Sequence, residues 1–478
     1  MASISDDLFF AGIAEINEGL RKKEFSAVEL TRAFCDRLER LGPQYNAVAL
    51  SLRKDALKAA KDVDGDISRD RQRGLLQGVP FGAKDLLAYA KHPTTWGAKP
   101  YADQVFDSSA TTLQKLTKTG GILTAKLAMV ELAGGPSYRY ARASLTGPGL
   151  NPWDTTRWSG GSSSGSAIAV AAGLVTYALG SETSGSILTP ASFCGVTGLR
   201  PTYGLVSRHG AMSLSWTLDK IGPICRSAED CGIVLHAIAG GDREDPASAG
   251  RNFHYVPEYA RALNQTRIGF APSDFNGAAD PAGRADFAKA LETIRSLGVQ
   301  MAETKLPDFP YAAVISTIIS AEGSAIFEPL IQSGQVDQLA DEKQIAGLKA
   351  GLEIPAKDYL KAMRIRSLIQ DAFRELFRNV DVLLSPSRLT PAPKITDPLD
   401  RRPTGGAAPA NSGLTALIPA GNLAGLPALS LPCGFSNGLP IAIQLVGPPF
   451  SENKLLALGK AFQDRTNWHK RRPGALSA

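Results

Sequence analysis

The sequence predicts a mixed α/β layer structure, because short apolar strand candidates alternate with segments of helical period over most of its 478 residues. Two further observations agree. Glycine (47) and proline (31) exceed ordinary usage and concentrate in loops such as GGSSSG, TSGSILTP and IPAGNLAGLPALSLPCG. Hydrophobic (44%) and charged (21%) contents are those of a globular protein, which excludes a disordered, collagenous or coiled-coil chain.

The elements follow in order. The first 60 residues read as helices. Within them, residues 26–41 (SAVELTRAFCDRLERL) place apolar side chains three and four apart, with Ser26 as the N-cap. A strand candidate at 78–81 leads into Lys84, and a helix at 110–119 precedes a strand at 121–124. Residues 154–160 (DTTRWSG) show no strand pattern. Small residues at 167–172 suit a closely packed helix, and 174–179 suit a strand. Later strands are expected at 267–271, 382–384, 428–431 and 441–446, and helices at 286–297 and 357–377. The polar, Pro- and Gly-rich stretch 391–412 reads as a long surface loop.

Composition narrows the function. Lys plus Arg (52) barely exceeds Asp plus Glu (46), the net charge is +6, and the basic residues are scattered. A solvated surface is expected, with no nucleic-acid partner. Cys35, Cys194, Cys225, Cys231 and Cys433 include no C-x-x-C pair, so free buried thiols are expected rather than disulfides or a zinc knuckle. The start, MASISDDLFF, lacks the basic and apolar regions of a signal peptide, and the apolar stretch 167–179 is too short to span a bilayer. A cytoplasmic location without membrane association is the expectation. The five histidines form no H-E-x-x-H pattern, and neither a P-loop nor a G-x-G-x-x-G turn is present. No metal and no cofactor are expected.

Serine is the informative residue type. Residues 161–165 formally match the G-x-S-x-G elbow, but that turn requires a strand immediately before it. Ser51-x-x-Lys54 and Ser451-x-x-Lys454 match S-x-x-K spacing without its partner motifs. A serine hydroxyl needs a base to become a nucleophile, and a lysine serves when burial lowers its pKa toward neutrality. Lys84, in PFGAKDLL, is the candidate. Its immediate neighbours alone favour a surface lysine beside Asp85.

The combination of motifs is far more specific. GVPFGAKD (78–85), GGSSSGSA (160–167), ETSGSILTPASFCGVTGLRPTYG (182–204), TLDKIGPICRSAEDC (217–231) and the tail NLAGLPALSLPCGFSNGLPIAIQLVGPPF (422–450) together resemble the amidase signature family. The resemblance spans nearly the whole chain. It implies the amidase-signature α/β fold, a central mixed β-sheet covered by helices on both faces, within one domain over 1–478. Inside it, the resemblance implies an N-terminal helical segment (1–65), a signature core (75–235), pocket or lid insertions (305–375) and C-terminal strands (380–450).

The same resemblance implies a Ser-cisSer-Lys triad. Ser186 matches the nucleophile, Ser162 the bridging serine and Lys84 the general base. The backbone N–H groups of Thr183, Ser184, Gly185 and Ser186 would hold the oxyanion. Gly161 and Ser163 would support the bridging serine, with a cis peptide at Gly161–Ser162. The chain departs from the family's frequent D-x-G-G-S-I-R at two places: Ser184 replaces a glycine and Leu188 an arginine. Pocket walls are expected from 131–143, with Gly134, Gly135, Tyr138, Tyr140 and Ala141, from Leu188, and from 309–330. Phe309, Tyr311 and Phe327 read equally well as core. No cluster prepares a site for a charged substrate.

The implied activity is a serine hydrolase that cleaves C–N bonds of small neutral aryl or alkyl amides through an acyl-enzyme. Carbamates are included, because ETSGSILTP resembles the urethanase-like bacterial branch. The alternatives are an A-type subunit of glutamyl-tRNA amidotransferase and a non-catalytic binding protein on the same fold. The expected partner is a small-molecule amide or carbamate, and the expected state a monomer or homodimer.

Overall fold

Thirteen strands are present in the computed structural model, which describes residues 4–256, 263–400 and 413–474. They are β1 (Val48–Ser51), β2 (Pro80–Lys84), β3 (Ile122–Leu127), β4 (Leu150–Asn151), β5 (Asp154–Trp158), β6 (Tyr177–Glu182) and β7 (Thr197–Arg200). Then follow β8 (Lys220–Cys225), β9 (Arg267–Phe270), β10 (Gln300–Glu303), β11 (Val382–Pro386), β12 (Ala428–Ser436) and β13 (Leu439–Val446). Eleven of them form one sheet in the order β1-β3-β2-β6-β8-β7-β12-β13-β11-β9-β10. The pairs β3/β2, β2/β6, β11/β9 and β9/β10 are parallel and the others antiparallel, so the sheet is mixed. Helices flank this sheet, as an alternation of strand and helix dictates.

Local chemistry explains most elements. Ser26 caps the helix Ala27–Leu41: its hydroxyl accepts the Glu29 N–H, and the Glu29 carboxylate accepts the Ser26 N–H. The inner strands β2, β3 and β6 are buried at every position, as strands covered on two faces must be. The β12–β13 hairpin turns on Asn437 and Gly438, both at positive φ, the pair that matches the right-handed twist of the strands. The helices expected at 286–297 and 357–377 are Arg284–Ser296 and Ala356–Asn379.

Several expectations need correction. The first 60 residues are not wholly helical, because β1 pairs antiparallel with β3 at the sheet edge. Residues 154–158 do form a strand, β5, but it belongs to a separate two-stranded ribbon with β4. The strand expected at 174–179 begins at Tyr177 and continues to Glu182, since the Leu174 N–H is held by the Ala169 carbonyl. β7, β8 and β10 escaped notice: β7 (TGLR) and β8 (KIGPIC) carry Gly or Pro, and their neighbours in the sheet impose the extended form. The loop expected at 391–412 lies partly outside the described residues. Its first part packs against β5, with the Trp158 N–H on the Pro393 carbonyl and the Ile395 N–H on the Thr156 carbonyl.

Among the described residues, no helix is long and apolar enough to cross a membrane, and no group of three His, Cys, Asp or Glu side chains is placed to hold a metal. All five cysteines are buried and free.

Candidate active site

Lys84 ends β2 at the centre of the parallel strands and is 0% exposed. Its amine lies 2.7 Å from the Ser162 hydroxyl and 2.9 Å from the Ser181 hydroxyl. The adjacent Asp85 does not pair with it. Lys126, from β3, takes that carboxylate at 2.7 Å, and the Thr95 N–H donates to its other oxygen at 3.0 Å. Lys84 is therefore not a surface lysine, and among the described residues it has no carboxylate in contact. Burial pulls its amine down to about 7, although Asp219 and Glu182 act in the opposite direction. A lysine in that range is partly neutral at physiological pH and can accept a proton.

The loop before the helix Ser164–Ala171 presents Ser162 to this amine. The Gly161–Ser162 peptide is cis. A Cβ on Gly161 would stand 2.7 Å from Val130 Cγ2, and one on Gly165 would stand 2.3 Å from the Ala47 carbonyl oxygen, so only glycine fits these close approaches. Ser163 ties the loop to the other serine block. Its N–H donates to the Ser186 carbonyl at 3.3 Å, and its hydroxyl donates to the Ser181 carbonyl at 3.1 Å.

Ser186 sits in the turn between β6 and the helix Leu188–Cys194, 9% exposed, on the wall of a cleft of about 410 Å³. Gly161, Thr183 and Ser184 line the same cleft. Among the described residues, the N–H groups of Thr183, Ser184, Gly185 and Ser186 donate to nothing. The next two N–H groups, of Ile187 and Leu188, are both accepted by Glu182, at 2.9 and 3.0 Å. The turn thus offers a run of unused main-chain donors beside a serine hydroxyl, which suits a developing negative charge.

Two side chains that organise this turn were not found by sequence reasoning. Glu182, fully buried, accepts from Arg200 at 2.9 Å and from Asn422 at 2.8 Å with its other oxygen. Burial pushes its carboxyl up, but Arg200 and these hydrogen bonds outweigh that and leave it below the usual range. Ser181 supplies the second hydroxyl on Lys84, from the strand itself. Its alternation with Glu182 along β6 was the only available signal, and it required knowing where the strand ends.

The pocket expectations divide. Gly134, Gly135 and Tyr138 line the cleft, together with Ile315, Ser316 and Ile319 from the 309–330 stretch. Tyr140 and Ala141 do not. Ala141 packs in a small core with Val130 and Trp158, and Tyr140 lies beneath Arg139 and Arg142. Leu188 is 0% exposed in the main core, because its helix turns that face inward. Tyr311 and Phe327 are also core. Contrary to the sequence reading, charged groups do reach the cleft: Lys343, Arg388 and Asp400 line it. They come from separate stretches of chain, so no local cluster announced them.

A family model described as Amidase matches residues 29–456. This chain belongs to the amidase signature family. It is 36% identical over 495 residues to the A-type subunit of the glutamyl-tRNA(Gln) amidotransferase of Carboxydothermus hydrogenoformans, covering 98% of this chain and 99% of that one. Its fold is similar to a chain from a vestigial protein complex related to an s-triazine catabolic enzyme (30% identity, TM-score 0.86, 95% and 98% coverage). It is similar as well to the native peptide amidase of Stenotrophomonas maltophilia, at 29% identity and TM-score 0.84, covering 98% and 99% of the two chains. As an amidase signature enzyme, the chain acts on amide C–N bonds.

Proposed function

We propose that this amidase works through an acyl-enzyme on Ser186, with Lys84 as base and Ser162 as proton relay. The observation that carries the reading is the buried Lys84 amine, near neutrality and in contact with the Ser162 hydroxyl. Neutral Lys84 takes the Ser162 proton, Ser162 takes the Ser186 proton, and the Ser186 oxygen bonds to the amide carbon. The carbonyl pair moves onto oxygen, where the N–H groups of residues 183–186 receive it. Each such donor contributes ~2.7–4 kcal/mol. Collapse breaks the C–N bond, and the departing nitrogen regains the proton through Ser162. Water, deprotonated along the same route, then cleaves the ester. Ser181 holds the amine from a second side and so aims its lone pair at Ser162.

This base has a pH signature. Below its pKa the amine is protonated and cannot accept, so kcat/KM is expected to fall about tenfold per pH unit below about 7 and to level off above it. A pH–rate profile on any turned-over amide checks this; a rate independent of pH from 5 to 8 contradicts it.

Two substrate readings have support. The relatives named as the A-type component of an amidotransferase, aligned over nearly the whole chain, favour glutaminase activity that depends on a second protein chain. They favour it over the small neutral amides and carbamates suggested by the motifs alone. Likeness to the peptide amidase supports a hydrolase acting alone. A panel of glutamine, an aryl anilide and the carbamate sharing its aryl group separates them, with Ser186→Ala as control. Turnover of anilide and carbamate without glutaminase supports the stand-alone reading, and glutaminase that needs an added partner chain supports the other. Equal rates in wild type and variant would remove Ser186 from the mechanism.

A further inference from the structure

Arg388 follows β11 and is exposed on the wall of the cleft that holds Ser186. The other cation there has an acidic partner: Lys343 lies 3.0 Å from Asp400, a carboxylate that Arg139 also approaches at 3.8 Å. Arg388 is not. Among the described residues its guanidinium has no hydrogen bond and no acidic partner, and it stands 6.0 Å from the Phe193 ring centre. Its polar neighbour is the Tyr138 phenol, which stands against Gly161 and also makes no hydrogen bond among the described residues. Trp158, on the same wall and 6% exposed, has an indole N–H without a partner. Two donors, one of them a full positive charge, therefore stand on the cleft wall without an acceptor among the described residues, and the buried Trp158 indole N–H behind them is also unpaired.

A guanidinium presents paired N–H groups that match the two oxygens of a carboxylate. A phenol adds a single donor. We propose that Arg388, helped by Tyr138, binds a carboxylate on the substrate, so that the preferred amide also carries an acid group. The inference rests on the Ser186 reading above and narrows its substrate class to amides such as the monoamides of dicarboxylic acids.

The test compares glutaramate with its neutral methyl ester. The wild-type ratio of kcat/KM, acid over ester, is expected to be roughly 10- to 100-fold, the range of one charge-assisted contact. Arg388→Gln is expected to bring the ratio near one, and Arg388→Lys to restore part of it. A second measurement does not need turnover: glutarate should slow fluorophosphonate labelling of Ser186 in wild type and lose that protection in Arg388→Gln. A wild-type ratio near one, or protection equal in both proteins, overturns the role of Arg388. Failure of the probe to label Ser186 at all overturns the acyl-enzyme reading itself, and the two failures are told apart by that adduct.

Discussion

Ser186→Ala is expected to lower kcat/KM by about 10⁴-fold or more, because removal of a nucleophile leaves only binding and oxyanion donors to act. Lys84→Met and Ser162→Ala should each cost nearly as much. The three groups would operate as one proton path, so the losses do not add, and the triple variant should be scarcely slower than the worst single one. Lys84 is fully buried, and methionine replaces its chain with one of similar shape, so the fold should persist while turnover disappears. Steady-state kinetics and a fluorophosphonate adduct, read by intact mass, check both halves. Retention of more than a tenth of the activity in Ser186→Ala would move the nucleophile elsewhere.

Glu182→Ala is expected to be the most damaging substitution for stability near the site. The Glu182–Arg200 pair is 0% exposed on both sides, so removal of the carboxylate strands a buried guanidinium. Breaking a buried pair from one side costs ~3–5 kcal/mol. The change also releases the N–H groups of Ile187 and Leu188, which hold the start of the helix after Ser186. Denaturant midpoints should drop accordingly, and the residual folded protein should turn over more slowly. Glu182→Gln, which keeps the shape but not the charge, should fall between. A Glu182→Ala protein as stable as wild type would show that the network contributes little.

The sequence-based reading and the structure agree where the interactions are local. The capping of residues 27–41 by Ser26, the helices around 286–297 and 357–377, and the alternation that makes a mixed sheet are all written in neighbours two to four positions apart. Agreement is poorer where a strand is extended because of what lies beside it. β10 is held by its parallel partner β9, and β7 and β8 are held by each other, by β6 beside β8 and by β12, from far down the chain, beside β7. The polar ribbon strand β5 was missed for a related reason: its residues show no alternation, and its partner β4 lies outside the main sheet.

By itself, the sequence determined the layered α/β class and the helix starts, because turns, caps and periodicity act over a few residues; the motif set around residues 84, 162 and 186 was legible through its resemblance to the amidase signature family. Tertiary structure decided the electrical state of the site. Lys126 draws Asp85 away from Lys84, Arg200 and Asn422 hold Glu182 across 18 and 240 residues, and Arg388 arrives at the cleft without an acidic partner among the described residues. The physical reason is that a charge's cost and pKa depend on who surrounds it in space. Those surroundings are assembled only when strands from opposite ends of the chain lie side by side.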